Sequence, residues 1–253
     1  MATSTLRQLM EVSREAARLG LNSADQLNAL QIERFATWDT FLDVDRIFAG
    51  LESWETKSIE QYFTNGRKLL VGCVGAGREL VALDKLGFDV DAFDCCAGLV
   101  ACGNRALSER GLAKRIQLSR PDEVPAELTG PYDGAIVGSG GYMHLVGRAR
   151  RVALLQQLRA RLRNGAPLLI SFFVRNREDT TYQAIASLAN ALRLTRGRRD
   201  PIEVGDRWWR GTYCHFFTYD EVGVELALGG FDLEVFETVP RAYAVGRAFS
   251  ASP

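Results

Sequence analysis

The sequence has few of the residues and segments that mark several classes of protein. It contains only two histidines and five cysteines among 253 residues. The cysteines lack the paired C-x-x-C spacing of zinc and redox sites, so we predict reduced thiols and no metal site. No apolar run approaches the length of a membrane span, and the N-terminal residues lack the unbroken apolar core of a secretory signal. We therefore predict a cytoplasmic protein without a membrane partner.

An excess of charge of either sign is also missing. Thirty-one basic and thirty-one acidic side chains cancel, so no overall field attracts the phosphates of a nucleic acid. A helix predicted over 148–163 carries arginines separated by leucines, a pattern typical of an amphipathic helix. We predict that these arginines form its solvated face and that nucleic acid is not a partner. They are Arg148, Arg150, Arg151, Arg159, Arg161 and Arg163.

The spacing of apolar residues divides the chain into two parts. Residues 1–62 have apolar side chains at helical spacing, which predicts an N-terminal helical cap or lid of three or four segments. Over residues 63–253, short apolar runs alternate with helical stretches, which predicts an α/β domain with a mostly parallel sheet and helices on both faces. The polar segment 195–215 is predicted to be an excursion on the substrate side of this domain.

Individual elements follow from the same pattern. Apolar runs predict five strands. Two further strands, in the later stretch "GGFDLEVFETVPRAYAVGRAF", are joined so tightly that they predict a C-terminal antiparallel hairpin. The five strands are KLLVGCV (68–74), FDVDAFD (88–94), RIQLS (115–119), YDGAIVGS (132–139) and PLLISFFV (167–174). The predicted helices of this part span 78–86, 97–110, 148–163 and about 218–228.

The first predicted strand runs directly into a glycine-rich turn. The stretch "KLLVGCVGAGREL" places Gly75 and Gly77 ahead of a predicted helix. Such a turn puts free backbone N–H groups and the positive end of the helix at the carboxyl edge of the sheet, where open α/β folds bind ligands. Asp94 ends the second strand, where a carboxylate can accept hydrogen bonds from both hydroxyls of a ribose. Together these features predict a nucleoside site.

The glycine spacing distinguishes two classes of nucleoside cofactor. A nicotinamide or flavin site needs a third small residue, so that helix and strand pack closely under a pyrophosphate. Leu80 occupies that position. The adenosyl group of S-adenosylmethionine has no phosphate and needs only a tight turn and a carboxylate for the ribose. The spacing therefore favours S-adenosylmethionine, and an NAD-linked oxidoreductase is kept as an alternative.

Over residues 60–249 the chain resembles the class I, Rossmann-like S-adenosylmethionine-dependent methyltransferases of the small-molecule type. The resemblance lies in four stretches, "LLVGCVGAGREL", "FDVDAFD", "YDGAIVGSGGYMHL" and "HFFTYDEVGVELALGGFDLEVFE". It implies a seven-stranded sheet whose last strand is antiparallel, S-adenosyl-L-methionine as cofactor and S-adenosyl-L-homocysteine as product. The implied reaction is methyl transfer to an O or N atom of a small-molecule acceptor.

The resemblance also implies roles for individual residues. Gly75 and Gly77 line the methionine end of the cofactor, Asp94 binds the ribose, and Arg120 occupies the usual position of an acidic group that meets adenine. The residues implied to contact the cofactor are Cys73, Val74, Gly75, Gly77, Asp94, Cys95, Arg120, Asp122, Gly138 and Ser139. The chain departs from the family at Val71, where an acidic residue is common. A cofactor-binding protein without transferase activity is therefore a second alternative.

Three residues are candidates to contact the acceptor or to remove its proton. His144 and Tyr142 follow the fourth strand, and His215 precedes the last predicted helix. A packing role is the alternative for each histidine. Trp208 and Trp209 in the excursion suit an aromatic or cationic acceptor, or else pack against the N-terminal cap.

Overall fold

The structure is a computed structural model that describes residues 2–249. Within this range the strands are β1 Lys68–Gly72, β2 Asp89–Asp94, β3 Ile116–Leu118, β4 Gly134–Val137, β5 Pro167–Val174, β6 Asp206–Trp209, β7 Thr212–Phe217, β8 Phe231–Glu237 and β9 Ala242–Ala248. The helices are α1 Ala2–Leu21, α2 Ala24–Ala36, α3 Asp39–Leu42, α4 Val44–Ile47, α5 Ser53–Tyr62, α6 Arg78–Lys85, α7 Ala97–Glu109, α8 Arg148–Arg159, α9 Thr180–Thr195 and α10 Tyr219–Gly229. A short 3-10 helix covers Gly141–His144.

One open sheet organises the fold, in the order β3-β2-β1-β4-β5-β9-β8. Strands β1 to β5 are parallel, and β9 runs antiparallel to both β5 and β8. The predicted α/β class, a Rossmann-like, mostly parallel sheet of seven strands with a C-terminal antiparallel hairpin, is confirmed. In such a sheet the carboxyl ends of β1, β2 and β4 meet at one edge.

The predicted helices form close to their expected bounds, and the largest difference is at the end of α8. The helix ends at Arg159 instead of continuing to residue 163. The chain turns there because the segment around Leu162 forms a bridge with Tyr132. The N–H of Tyr132 donates to the carbonyl of Arg161 at 2.8 Å, and this pairing replaces the next helical turn.

The 195–215 excursion contains strands that the apolar pattern does not predict. β6 and β7 form an antiparallel hairpin, and its turn residues Arg210 and Gly211 have φ values of 51° and 87°. Two consecutive positive φ values are typical of the type I′ turn that joins neighbouring strands. The end of β7 pairs with the end of β5 through Phe216 and Phe173. The hairpin therefore extends the carboxyl edge of the sheet.

The N-terminal helices pack against this edge. Ser23 precedes α2 as its N-cap, and its side chain forms a capping box with Gln26, a pairing that satisfies two N–H groups at the helix start. α1 packs on α9, and α2 packs on α7 and β7. The Gln31 side chain donates to the carbonyl oxygen of His144 at 2.8 Å. α2 therefore lies over the loop that follows β4.

Apolar cores cover both faces of the sheet. Leu155 and Phe172 belong to the core on the α8 and α10 side. Leu80 and Val245 belong to the core on the α6 and α7 side. A strand buried on both faces reads as a continuous apolar run, which is why β1 and β5 are visible in the sequence. Across residues 2–249, no helix combines the length and the apolar composition of a membrane span.

Candidate cofactor and acceptor site

The turn between β1 and α6 has the backbone that its glycines favour. Gly75 and Gly77 have φ values of 57° and 101°, and Cys73 has a φ of 54°. Glycine adopts this left-handed region freely, whereas a residue with a Cβ is strained there. A Cβ at Gly75 would meet only the Leu99 side chain, at 3.7 Å. The turn therefore leaves open space beside Gly75, as a ligand in contact with the backbone requires.

Asp94 ties the end of β2 to this turn. Its Oδ2 accepts a hydrogen bond from the N–H of Gly75 at 2.8 Å, and its Oδ1 accepts one from the N–H of Cys96 at 2.7 Å. The side chain is 8% exposed, and burial raises the pKa of Asp94 against the opposing effect of the backbone hydrogen bonds. Each carboxylate oxygen has a further lone pair, so the group can still accept hydroxyls from a ligand.

A cavity of about 130 Å³ is lined by six of the predicted site residues. It lies between the glycine turn, the end of β2, the loop after β4 and helix α2. The predicted residues that line it are Cys73, Gly75, Asp94, Cys95, Ser139 and His144. The remaining lining includes residues of the N-terminal helices and α7 that the sequence does not single out, namely Asn28, Gln31, Ile32, Phe35, Phe41, Cys96 and Leu99, together with Pro121, Gly141 and Leu145.

A second, smaller cavity of about 70 Å³ continues along the glycine turn and is lined by Val74 and Gly77. Glu79 lies at its wall, where one carboxylate oxygen accepts the N–H of Ser139 at 3.0 Å. Arg78 donates to the same oxygen at 2.8 Å. Burial raises the pKa of Glu79, and the Arg78 guanidinium opposes that shift.

Gly138 packs against the glycine turn rather than into a cavity. A Cβ at this position would lie 2.6 Å from the carbonyl oxygen of Cys73. A side chain there would push the two loops apart, so glycine at 138 keeps Ser139 beside the turn. The role of Gly138 is to permit this approach of backbone to backbone.

The predicted cofactor residues Arg120 and Asp122 line neither of these two cavities. The Arg120 side chain is 82% exposed and pairs with Glu123. Asp122 lies 3.9 Å from Arg150, on the α8 side. Pro121 between them lines the cavity instead. Neither Arg120 nor Asp122 lines this cavity, and the expectation that one of them meets adenine stays a prediction.

Tyr142 and His215 do not line this cavity either, and the expectation that they contact the acceptor stays a prediction. The Tyr142 side chain is fully buried, and its hydroxyl donates to Glu225 at 2.6 Å. The Nδ1 of His215 lies 2.7 Å from Asp206. Side chains alternate along β7, so His215 faces the opposite side from Cys214, whose sulfur lies 3.6 Å from His144.

Both residues belong to a buried polar network centred on Arg151. This arginine is 0% exposed and pairs with Glu203 at 2.6 Å and with Glu225 at 2.7 Å. In the described part of the chain, Glu203, Asp206 and His215 are close enough together to suggest a metal site. Because Arg151 already supplies the positive charge beside Glu203, we assign no metal there.

A larger cavity, of about 970 Å³, lies beside this network and is lined by Val146, Glu203, Asp206 and Leu228 among others. Neither the glycine turn nor Asp94 contributes to its wall. It therefore lacks the glycine turn and the strand-end aspartate that together predict a nucleoside site, and the smaller cavity at the glycine turn is the candidate site.

His144 is the only predicted catalytic residue that lines the candidate site. Its Nδ1 lies 2.7 Å from the carbonyl oxygen of Tyr213. Because a carbonyl only accepts hydrogen bonds, Nδ1 carries the proton and Nε2 is left with a free lone pair. The Phe35 ring packs edge-on at 5.1 Å between ring centroids. Desolvation lowers the pKa of His144 to about 4, so the ring is neutral at pH 7.

Both histidines of the folded chain are expected to stay neutral from pH 8 down to about pH 5. Burial lowers the pKa of His215 to about 4 as well. Imidazole C–H signals in NMR spectra, recorded against pH, should show no midpoint near 6.5. The same chain in urea is the control, because unfolded histidine titrates near 6.5. A midpoint close to 6.5 for either ring in the folded protein would contradict this.

The lowered pKa values of the two histidines also make the stability of the fold depend on pH. Between pH 6.5 and about 4 the unfolded chain binds protons at His144 and His215 that the folded chain does not. Each histidine therefore contributes stability that is present above pH 6.5 and is lost as the pH falls toward 4.

The fold of the chain is recognised by comparison with solved structures. No protein-family model matches the chain, and no curated protein sequence matches it significantly. Among solved structures, 1,6-didemethyltoxoflavin-N1-methyltransferase from Burkholderia thailandensis is 16% identical, with a TM-score of 0.64 over 90% of this chain and 92% of that one. That structure contains 1,6-didemethyltoxoflavin and S-adenosylhomocysteine.

Two further structures support the same assignment. An S-adenosylmethionine-dependent methyltransferase from Methanosarcina mazei is 16% identical, with a TM-score of 0.61 over 79% of this chain and 99% of that one. An amino pentose methyltransferase from Micromonospora echinaspora is 14% identical, with a TM-score of 0.54 over 78% of this chain and 92% of that one. The chain therefore has the fold of S-adenosylmethionine-dependent methyltransferases.

Proposed function

We propose that the protein is an enzyme that transfers a methyl group from S-adenosyl-L-methionine to an O or N atom of a small-molecule acceptor. The observation that carries the proposal is the position of Asp94. Its carboxylate binds the N–H of Gly75 and lines the same cavity as Ser139 and His144. The end of β2, the glycine turn and the loop after β4 thus converge on one space, as a nucleoside with a reactive tail requires.

The cavity lining supports one orientation of the cofactor. The ribose hydroxyls are placed at Asp94, because this is the carboxylate that lines the cavity. The adenine is placed between the apolar groups of Ile32, Leu99 and Pro121, which line the same space. No carboxylate near Arg120 is needed in this arrangement, since backbone groups can meet the adenine amine.

The methionine end is placed along the smaller cavity, where Glu79 compensates for the missing acidic residue at position 71. Val71 is fully buried in β1 and cannot pair with an ammonium group. The Glu79 carboxylate reaches the wall of the cavity from the first turn of α6. Arg46 lines the same cavity and offers a partner for the cofactor carboxylate. The cavity therefore offers a carboxylate to the ammonium group of the methionine part and a guanidinium to its carboxylate group.

Helices α2 and α3 are proposed to act as a lid. The cavity volume of about 130 Å³ is below the roughly 300–1,000 Å³ of ligand pockets. Phe35 of α2 and Phe41 of α3 supply much of its apolar cover. Their outward movement is the simplest way to admit the cofactor, and their return would exclude water from the reacting groups.

The reaction needs little more than alignment. Methyl transfer is an in-line displacement at a carbon that a positive sulfur already activates, so positioning and the removal of one proton suffice. His144 is the proposed group for that proton, because its Nδ1 is held by Tyr213 and its Nε2 is free. A pKa of about 4 makes it a weak base, suited to an acceptor whose proton becomes acidic as the new bond forms.

Calorimetry with purified protein tests the proposal. S-adenosylmethionine and S-adenosylhomocysteine are both expected to bind with one site per chain, and NADH is expected not to bind. Release of S-adenosylhomocysteine during incubation with a panel of hydroxyl and amine metabolites then separates an active transferase from a binding protein that has lost activity. Binding of NADH without either sulfur nucleoside would overturn the proposal in favour of an oxidoreductase.

A further inference from the structure

Arg241 is a half-buried cation that forms no hydrogen bond or ion pair within residues 2–249. It directly precedes β9 and lies at the carboxyl end of β5, where its guanidinium is 4.9 Å from the centroid of the Phe173 ring. Its Nε is shielded from solvent and has no hydrogen-bond partner among residues 2–249. A shielded donor without a partner costs free energy. Such an arrangement is typical of a side chain that is satisfied by a ligand.

The nearby carboxylates of the described residues form no ion pair with Arg241. Glu52 and Glu55 both favour the charged form of Arg241 from a distance. Both Glu55 oxygens accept from Arg78 at 2.6 Å, and a Glu52 oxygen accepts from the Trp54 indole at 2.7 Å. The two groups are therefore held by other partners, and the Arg241 guanidinium is left free for an anion.

Arg241 also lies next to the loop that lines the candidate site. A Cβ at Gly140 would be 2.8 Å from its Nη2, so the glycine leaves room for the guanidinium. Gly140 lies between Ser139 and Gly141, which both line the cavity at the glycine turn. The positive charge of Arg241 also contributes to the lowered pKa of His144. An anion bound at Arg241 would thus lie beside the groups proposed to handle the methyl and the proton.

A cluster of three aromatic rings adjoins the arginine. Phe173 packs edge-on against Trp209 at 5.3 Å and lies tilted to Phe216 at 5.2 Å. All three rings are partly exposed. Arg210 covers one face of Trp209 at 4.3 Å, as Arg241 covers Phe173. Guanidinium groups beside these rings repel a cationic ligand and attract an anionic one, so the expectation of a cationic acceptor is not carried forward.

We propose that Arg241, with Phe173 and Trp209, binds the anionic group of an aromatic acceptor, most simply a carboxylate. This inference rests on the proposed function, because it assigns the anion to the molecule that receives the methyl group. The guanidinium fork can donate two parallel hydrogen bonds to a carboxylate, and the rings supply a surface for a planar body. Arg241 is therefore a specificity-determining residue.

Benzoate and its neutral counterpart benzamide are suitable probes, titrated into the protein with and without saturating S-adenosylhomocysteine and followed by ligand-observed NMR. Wild type is expected to bind benzoate at least tenfold more tightly than benzamide. Arg241→Gln should lose at least tenfold in benzoate affinity while its affinity for S-adenosylhomocysteine stays within twofold. Arg148→Gln is the matched control and should retain benzoate binding, because Arg148 is exposed and belongs neither to the three rings nor to the cavity at the glycine turn.

The possible failures can be told apart. Absence of benzoate binding to wild type, or an equal loss in both variants, would overturn the inference while leaving the proposed function intact. Loss of S-adenosylhomocysteine binding in Arg241→Gln would also overturn it, because the arginine would then serve the cofactor. If wild type bound no S-adenosylhomocysteine, the proposed function would fail, and the benzoate titration without cofactor would still decide whether Arg241 binds an anion.

Discussion

Replacement of Arg151 by leucine is expected to lower the free energy of unfolding by about 3–5 kcal/mol, because it leaves buried carboxylates without their cation. The Arg151 side chain is fully buried. Its Nε lies 3.0 Å from one oxygen of Glu225, and its Nη2 lies 2.6 Å from an oxygen of Glu203. Glu225 is only 2% exposed, so water cannot solvate its charge once the arginine is removed.

Urea unfolding followed by circular dichroism measures this loss. Arg148→Ala is the matched control on the same helix. Its side chain is exposed, and a surface change of this kind is usually within about 0.5 kcal/mol. The double variant Arg151→Leu, Glu225→Gln should be less destabilised than the single one, because the most buried unpaired charge is removed as well. A loss below about 1 kcal/mol for Arg151→Leu would show that the network does not depend on its cation.

The network also shows where sequence patterns stop being informative. The alternation of arginine and leucine over 148–163 predicts that all six arginines are solvated, which is wrong for Arg151. Helical spacing shows which residues share one side of a helix. It does not show which groups from other segments pack against that side. The partners Glu203 and Glu225 come from segments 52 and 74 residues away. A buried arginine becomes visible only when those segments are folded against α8.

Local features of the chain were predictable for the opposite reason. Strands β1 and β5 are buried on both faces and therefore appear as unbroken apolar runs. The residue type alone predicts the backbone conformation of the glycines in the turn after β1. Asp94 follows at the end of the next strand. These elements need no knowledge of distant partners, because their form depends on residues close in sequence.

The placement of Tyr142 and His215 was not predictable in this way. The direction of His215 depends on β7, and β7 forms only because it pairs with β6 and with the end of β5. Polar and aromatic residues fill that hairpin, so apolar periodicity does not reveal it. The consecutive pair Arg210 and Gly211 at its turn was the available signal, since glycine favours the positive φ values of a tight hairpin. When the strand is not predicted, the face of the sheet on which each of its side chains lies cannot be assigned.

Asp94→Ala is expected to weaken binding of S-adenosylhomocysteine by about 1–3 kcal/mol, a factor of roughly five to 150. The variant removes the carboxylate proposed to accept the ribose hydroxyls. It also frees the N–H groups of Gly75 and Cys96, which the two carboxylate oxygens bind at 2.8 and 2.7 Å. Part of the loss therefore comes from a less ordered turn, and calorimetry should be accompanied by a thermal unfolding curve.

Two further variants separate the direct contact from the support of the turn. Asp94→Asn keeps the size of the side chain but turns an NH₂ group toward Gly75 or Cys96, so it should lose affinity even if the fold is kept. Asp89→Ala is the matched control, because Asp89 lies at the other end of β2 and its exposed side chain pairs with Lys114. Its affinity should equal that of wild type. If Asp94→Ala folded normally and bound the nucleoside as tightly as wild type, the ribose would have to lie elsewhere, and the whole placement of the cofactor at the glycine turn would be lost with it.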